Sequence, residues 1–394
     1  MKAISSSTCD LASLIELLTD LAARDGSDLY LTAGSPPMLR IQGQVQSVDA
    51  PKLKPREIGD LAHEIMGDDR WAQFSERPEM NFALPGDIIP SARFRVNVFR
   101  QRGSVGIVLR RIKIEIPDLG SLGLPECLRE LVLHKHGLIL IVGPTDSGKS
   151  TTLAAMVRRR NSTIPGHIIT VEDPIEFVHR HDQSIVTQRE IGFDTNSYHD
   201  ALTNAMRQAP DMIVVGEVRD RETMESVITF SDTGHLCLTT LHSTNASQAF
   251  ERVINFFPTA RHSEMLLQLA INLRAVLSQR LLMGKEGKRV LATELLLNTP
   301  RIKDMIKKGK IDMLKTAMEE SALDGCHTFD MSLYELQSAG EIDLEQALAH
   351  ADSANNLRLR IKVAEISAPG ARSAEAGPEL RIREDGPDTA VGWS

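Results

Sequence analysis

The stretch GPTDSGKST, residues 143–151, constrains this 394-residue chain more than any other. Gly143, Gly148, Lys149 and Ser150 satisfy the spacing G-x-x-x-x-G-K-[ST], preceded by the strand former HGLILIV and followed by the helix former TTLAAMVRRR. A strand that turns through glycines into a helix aims backbone N–H groups and the positive end of the helix dipole at one point, which suits phosphate. Lys149 would reach the outer phosphates of ATP and Ser150 would hold Mg²⁺. Gly143, Pro144, Thr145, Asp146, Ser147, Gly148 and Thr151 complete the wrapping. The bare pattern arises by chance in roughly one chain of this length in a hundred, and the flanking strand and helix make it rarer. Asp146 is the unusual letter, because it adds a carboxylate beside phosphate at a position where glycine's backbone freedom is useful. Asp tolerates a left-handed conformation, and its side chain can point to solvent, so the loop reads as tuned rather than dead.

From residue 136 onward, short apolar runs (138–142, 167–171, 212–215, 236–240) alternate with helix-length stretches. This pattern predicts an α/β fold with a largely parallel sheet covered on both faces. Before it, residues 11–23 repeat at helical spacing, a strand follows at 28–32, and PPMLRIQGQV and ARFRVNVFRQRGSVGIVLRRI alternate as antiparallel strands do. In the latter, Phe94, Val96 and Val98 share one face and Arg93, Arg95 and Asn97 the other. The Gly- and Pro-broken segment IPDLGSLGLPECLRE marks a boundary. The expected division is a smaller α+β domain at 1–117, a P-loop domain with C-terminal helices at 118–366, and a disordered tail at 367–394, rich in Gly, Pro, Ala and charge.

Several function classes are disfavoured. A net charge of -8 and 4% aromatic residues argue against a nucleic-acid partner. No apolar run approaches the roughly 20 residues that span a bilayer, so no transmembrane segment is expected. Cys9, Cys127, Cys237 and Cys326 lie too far apart for a tetracysteine zinc knuckle or a disulfide framework, which points to a reducing cytosol. HKH at 134–136 and HRH at 179–181 have no third ligand at metal spacing.

Hydrolysis needs more than the loop: a carboxylate to polarise water and a charge to stabilise the transition state. In PDMIVVGEVRD, the strand at 212–215 ends beside Gly216 and Glu217, which puts Glu217 at the carboxyl edge of the sheet. Gly216 stands where a metal-binding Asp is usual. Glu172 and Asp173 end another strand in IITVEDPIEF, where Pro174 stops it. His235 and His242 flank the strand at 236–240 at opposite ends, so His242, at the carboxyl end, is the better sensor of the terminal phosphate.

Taken together, GPTDSGKST, VEDPIEFVH, RQAPDMIVVGEVRD and TGHLCLTTLHSTNASQAFERVINFFP resemble the Walker A, Asp, Walker B and His boxes of the secretion-type hexameric ATPases. VTQREIGFDTNSYHDALTNAMRQAPD and ALAHADSANNLRL are similar to the PilT/PilU pilus retraction ATPases, on the PilU side. The resemblance spans roughly residues 10 to 362. It implies a PAS-like N-terminal domain, a RecA-like P-loop domain, a homohexamer, and ATP bound at subunit boundaries. By the same resemblance, Glu217 is the catalytic acid, Glu172 and Asp173 the Asp-box acids, His235 and His242 the His-box pair, and Arg93, Arg95 and Arg110 the nearest matches to charge-stabilising fingers. The implied work is pilus retraction and twitching motility, from a cytoplasmic ring peripheral to the inner membrane, with a PilT-type motor and an inner-membrane platform protein as partners. NTPRIKDMIKKGKIDML departs from the family's retraction motif, which favours an accessory motor. A nucleotide-binding ring adaptor with little turnover is the alternative.

Overall fold

The computed structural model describes residues 10–84, 92–112, 115–285 and 287–367; the tail expected beyond residue 367 lies outside them, as does Cys9. Helix α1 (Leu11–Ala23) has the expected bounds. The Asp10 side chain caps it by accepting a hydrogen bond from Ser13 N at 2.9 Å, and Leu14, Leu17, Leu18 and Leu21 form its buried stripe. Six strands follow: β1 (Asp28–Thr32), β2 (Met38–Ile41), β3 (Gln44–Ser47), β4 (Glu79–Ala83), β5 (Arg93–Gln101) and β6 (Ser104–Ile112), with α2 (Pro55–Glu76) inserted before β4. They make one antiparallel sheet in the order β3-β2-β1-β6-β5-β4. The alternation read in β5 holds: Phe94, Val96 and Val98 are buried with α1 and α2 in one core, and Arg93, Arg95 and Asn97 face away.

The register of β5 on β6 sets Arg95 directly opposite Arg110. Like charges so placed repel by about 0.2–1 kcal/mol. Arg110 Nε bonds Asp28 Oδ1 at 2.8 Å, and Arg95 Nε lies 3.8 Å from Glu190 Oε1 on the second sheet. Asp28 is almost fully buried, and a hydrogen bond to such a charged group contributes about 1.5–3 kcal/mol, so the anchoring outweighs the repulsion.

A short helix, α3 (Leu128–Leu131), leads into the second sheet. Its elements run β7 (Gly137–Val142), α4 (Lys149–Asn161), β8 (Gly166–Glu172), β9 (Ser184–Glu190), α5 (Tyr198–Ala205), β10 (Met212–Val215), α6 (Arg221–Asp232), β11 (Leu236–Leu241), α7 (Ala246–Asn255), α8 (His262–Asn272), β12 (Leu273–Met283) and β13 (Arg289–Leu297). The sheet order is β13-β12-β7-β11-β10-β8-β9, parallel throughout except for the edge pair β12 and β13. Leu138, Leu140 and Val142 of β7 enter the core on one face, and Ile139 and Ile141 the core on the other, which is why the strand reads as a continuous apolar run. Ile116, Leu122 and Leu124, from the Gly- and Pro-broken segment, pack against the second of these cores.

Helices α9 (Pro300–Lys307), α10 (Leu314–Glu320), α11 (Phe329–Ser338), α12 (Leu344–His350) and α13 (Ala354–Ser367) complete the described chain. Arg280 of β12 ties the last of them to the sheet: it donates to His350 O at 2.6 Å and Asp352 Oδ1 at 2.8 Å, with its guanidinium 3.7 Å from the centre of the Phe329 ring.

Candidate active site

All parallel strands of the second sheet end on the same side, so the turns after β7, β8, β10 and β11 converge there. The first is the glycine loop. Gly143 has no room for a side chain, since a Cβ would stand 2.4 Å from Ser147 Oγ and 2.6 Å from Gln279 O. Gly148, the cap of α4, lies at φ 90°, where glycine is unstrained. Lys149 is buried, and its Nζ donates to Gly143 O at 2.9 Å and Pro144 O at 2.8 Å. Burial lowers its pKa, opposed by the charges of Glu217, Glu176 and Asp146. Ser147 Oγ is shielded from solvent with no partner among the described residues. A turn closed to a Cβ at Gly143, a buried ammonium and an unpaired hydroxyl at a helix N-terminus fit a polyphosphate.

Asp146 sits at φ 62°, the left-handed conformation weighed from the sequence, and its side chain is exposed at the mouth of the cleft. Its charge therefore acts through solvent. Asp146→Gly is expected to lower the KM for ATP by about two- to fivefold, with kcat little changed, in a steady-state phosphate-release assay. A tenfold or larger rise in kcat would show instead that the carboxylate brakes the chemistry.

The acids stand opposite the loop. The turn after β10 is fixed by Gly216 N donating to Val171 O at 2.8 Å and Val218 N donating to Thr240 O at 3.1 Å, which presents Glu217 to the cleft. The Arg219 guanidinium bonds Glu217 Oε1 and lies 3.5 Å from Asp173 Oδ2, while His242 Nε2 is 3.2 Å from Glu217 Oε2. Burial first, then Lys149, holds the His242 pKa below its ordinary range, so the imidazole is neutral near pH 7 and can accept or donate a proton at Glu217. Glu172 accepts from Thr170 Oγ1 at 2.7 Å and Gln188 Nε2 at 3.1 Å; burial raises its pKa, which these bonds oppose.

The structure thus gathers Thr145, Asp146, Ser147, Gly148, Lys149, Ser150, Thr151, Glu172, Asp173, Glu217 and His242 around one cleft. Gly143 and Pro144 contribute through their carbonyls. His235 does not join them. It lies at the amino end of β11, edge-on to Phe230 with Nδ1 3.1 Å from Phe230 O, separated from His242 by six strand residues at about 3.3 Å each. Arg93, Arg95 and Arg110 do not line the cleft either: Arg95 and Arg110 are held by Glu190 and Asp28, and Arg93 is exposed at the start of β5. Arg219, Tyr198, Glu176 and His179 are site residues that sequence reasoning missed. The acid-to-arginine spacing in GEVRD was a signal for Arg219; the others come from connecting segments.

Burial moves the His179 pKa down from its ordinary 6.5 to about 4. Above pH 6.5 both folded and unfolded chains hold it neutral. As pH falls from there toward 4, the unfolded chain binds a proton that the fold resists, so its contribution to stability is lost on acidification. His179→Gln is expected to flatten the decline of the thermal midpoint between pH 7 and pH 4.5; a decline as steep as wild type would show that the ring protonates freely in the fold.

A phosphate-binding loop at the centre of a parallel sheet, with an acid and an imidazole at adjacent strand ends, defines a P-loop nucleotide hydrolase. The family described as Type II/IV secretion system protein matches residues 17–339. The Type IV pilus ATPase PilU of Pseudomonas aeruginosa is 48% identical over 374 residues, which is 94% of this chain and 97% of that one. The Type IV pilus retractation ATPase PilT of the same organism is 39% identical, over 85% of this chain and 96% of its own. The crystal structure of the pilus retraction motor PilT with bound ADP matches with a TM-score of 0.82 at 40% identity, covering 88% of this chain and 99% of that chain. The chain belongs to the Type II/IV secretion system protein family and, within it, to the PilT/PilU ATPases. It is an ATPase of that family.

Proposed function

We propose that this chain is a subunit of a homohexameric ring that hydrolyses ATP to power type IV pilus retraction, and hence twitching motility, as an accessory to a PilT-type motor. The ring would be cytoplasmic, peripheral to the inner membrane at the pilus base, and would act on an inner-membrane platform protein. The observation that carries this reading is Glu217, held by Arg219 and His242 in the same cleft as Lys149. Similarity to PilU and PilT over nearly the whole chain supports the pilus context. Among the described residues no helix is long and apolar enough to cross a membrane, so attachment there would run through partners.

In this reading, residues 118–366 act as a RecA-like domain and residues 1–117 as a PAS-like one, closing on ATP and relaxing on product release. Arg93, Arg95 and Arg110, which do not line their own cleft, would offer charge to a neighbour's nucleotide across the ring boundary, Arg95 and Arg110 by exchanging Glu190 and Asp28 for phosphate. No three acidic, His or Cys groups among the described residues form a cage for a metal ion. That suits Mg²⁺, which takes few protein ligands and shares substrate phosphates; Ser150 would hold it, and it would neutralise charge on the outer phosphates. Phosphate release by the purified protein, with pilus retraction scored in cells lacking it, tests the proposal. Turnover together with impaired retraction supports a motor; nucleotide binding without turnover would leave the ring adaptor.

A further inference from the structure

Tyr198 opens α5, whose cap Ser197 accepts from Asp200 N at 3.0 Å. Its ring packs against the core beneath the sheet, and its side chain lines the cleft shared by Lys149, Glu172, Asp173 and Glu217. The hydroxyl oxygen is shielded from solvent and has no hydrogen-bond partner among the described residues. Gly216 leaves it space: a Cβ there would stand 3.4 Å from Tyr198 Oη and 3.3 Å from Glu172 Cα. The absence of a side chain at 216, where a metal-binding acid is usual, thus coincides with a phenol reaching into the same corner. Burial, followed by the charges of Asp173 and Glu217, pushes the phenol's ionisation up, so it keeps its proton at neutral pH.

A buried tyrosine hydroxyl normally has a partner, and this one bonds none of the charged groups that act on it, Asp173, Glu217, Glu172 and Arg219. Three acids outnumber the one arginine there and disfavour a phosphate, whereas a neutral donor among them does not. We propose that Tyr198 is a further catalytic residue, its Oη donating a hydrogen bond to an oxygen of the terminal phosphoryl group while that group passes from ATP to water. This rests on the ATP-hydrolysing reading above. In the step, the water oxygen bonds to phosphorus as the bond from phosphorus to the bridging oxygen breaks, leaving its electron pair on ADP. The water's proton goes to Glu217, and Tyr198 retains its own.

The test uses the full chain with Tyr198→Phe, which keeps the ring and removes an oxygen that holds no bond in the fold. The thermal midpoint should stay at the wild-type value. The expected result is a fall in kcat of about 10- to 100-fold, the usual effect of losing one donor to a charged group, with KM and ADP affinity within about threefold. Affinity for ADP with vanadate, which mimics the phosphoryl group in transfer, should fall by a similar factor to kcat. A kcat within about threefold of wild type, or equal losses for ADP and ADP with vanadate, overturns the assignment. A wild-type protein that releases no phosphate would refute the hydrolysis reading itself, whereas a hydrolysing wild type with an unaffected Phe variant refutes only the role of Tyr198.

Discussion

Glu217→Gln is expected to cut ATP turnover by about 100-fold or more while nucleotide affinity changes by less than about threefold. Gln keeps the size of the side chain but cannot take a proton from water. The surroundings survive the change: Arg219 keeps Asp173 at 3.5 Å, and the turn is set by backbone bonds from Gly216 and Val218 that no side chain supplies. The loss should therefore fall on kcat alone. Steady-state phosphate release beside calorimetric ATP binding reads both quantities, and turnover within about fivefold of wild type would remove Glu217 from the chemistry.

Lys149→Gln is expected to have the largest effect on binding, weakening ATP by about 100-fold or more. Its ammonium is buried among phosphate-loop atoms, where the two arginines of the region do not stand in for it: Arg219 is already engaged by Glu217 and Asp173, and Arg289 lines the cleft from the exposed start of β13. Loss of fold is not the expected cause. Leaving the carbonyls of Gly143 and Pro144 unpaired costs about 1–3 kcal/mol each at most, and the amide of Gln can still satisfy one, against a domain stability of about 5–15 kcal/mol. A thermal midpoint within a few degrees of wild type, together with absent ATP binding, is the expected pair of results. Retained submillimolar affinity would place the nucleotide elsewhere.

What could be read in advance follows from how each residue is fixed. The glycine loop, Glu217 and His242 were legible because local patterns place them: apolar runs buried on both faces make parallel strands, and such strands put whatever follows them at one edge. Arg219 and Asp173 meet only because β8 lies beside β10, Val171 opposite Val215, and sheet order is not written in periodicity. Tyr198 and His179 arrive on segments between strands, where no spacing rule reports which way a side chain turns. His235 was read at the amino end of its strand, and the structure puts it there. Only the resemblance paired it with His242, and a fully buried strand of six residues holds the two at opposite edges of the sheet. The polar face of β5 was legible in its alternation, but Glu190, the partner of Arg95, and Asp28, the partner of Arg110 on β6, lie far away in the chain and became visible only with the fold.

A triphosphate held by the amides and ammonium around Ser147 and Lys149 would turn its last phosphate toward Glu217. A crystal of the Glu217→Gln protein grown with Mg²⁺-ATP tests it most directly. Phosphate oxygens are expected within hydrogen-bond distance of the Gly148 and Lys149 amides and of Lys149 Nζ, with the terminal phosphate on the side of residue 217. Nucleotide bound away from that turn, or turned so that its base rather than its phosphates occupies the loop, would contradict it.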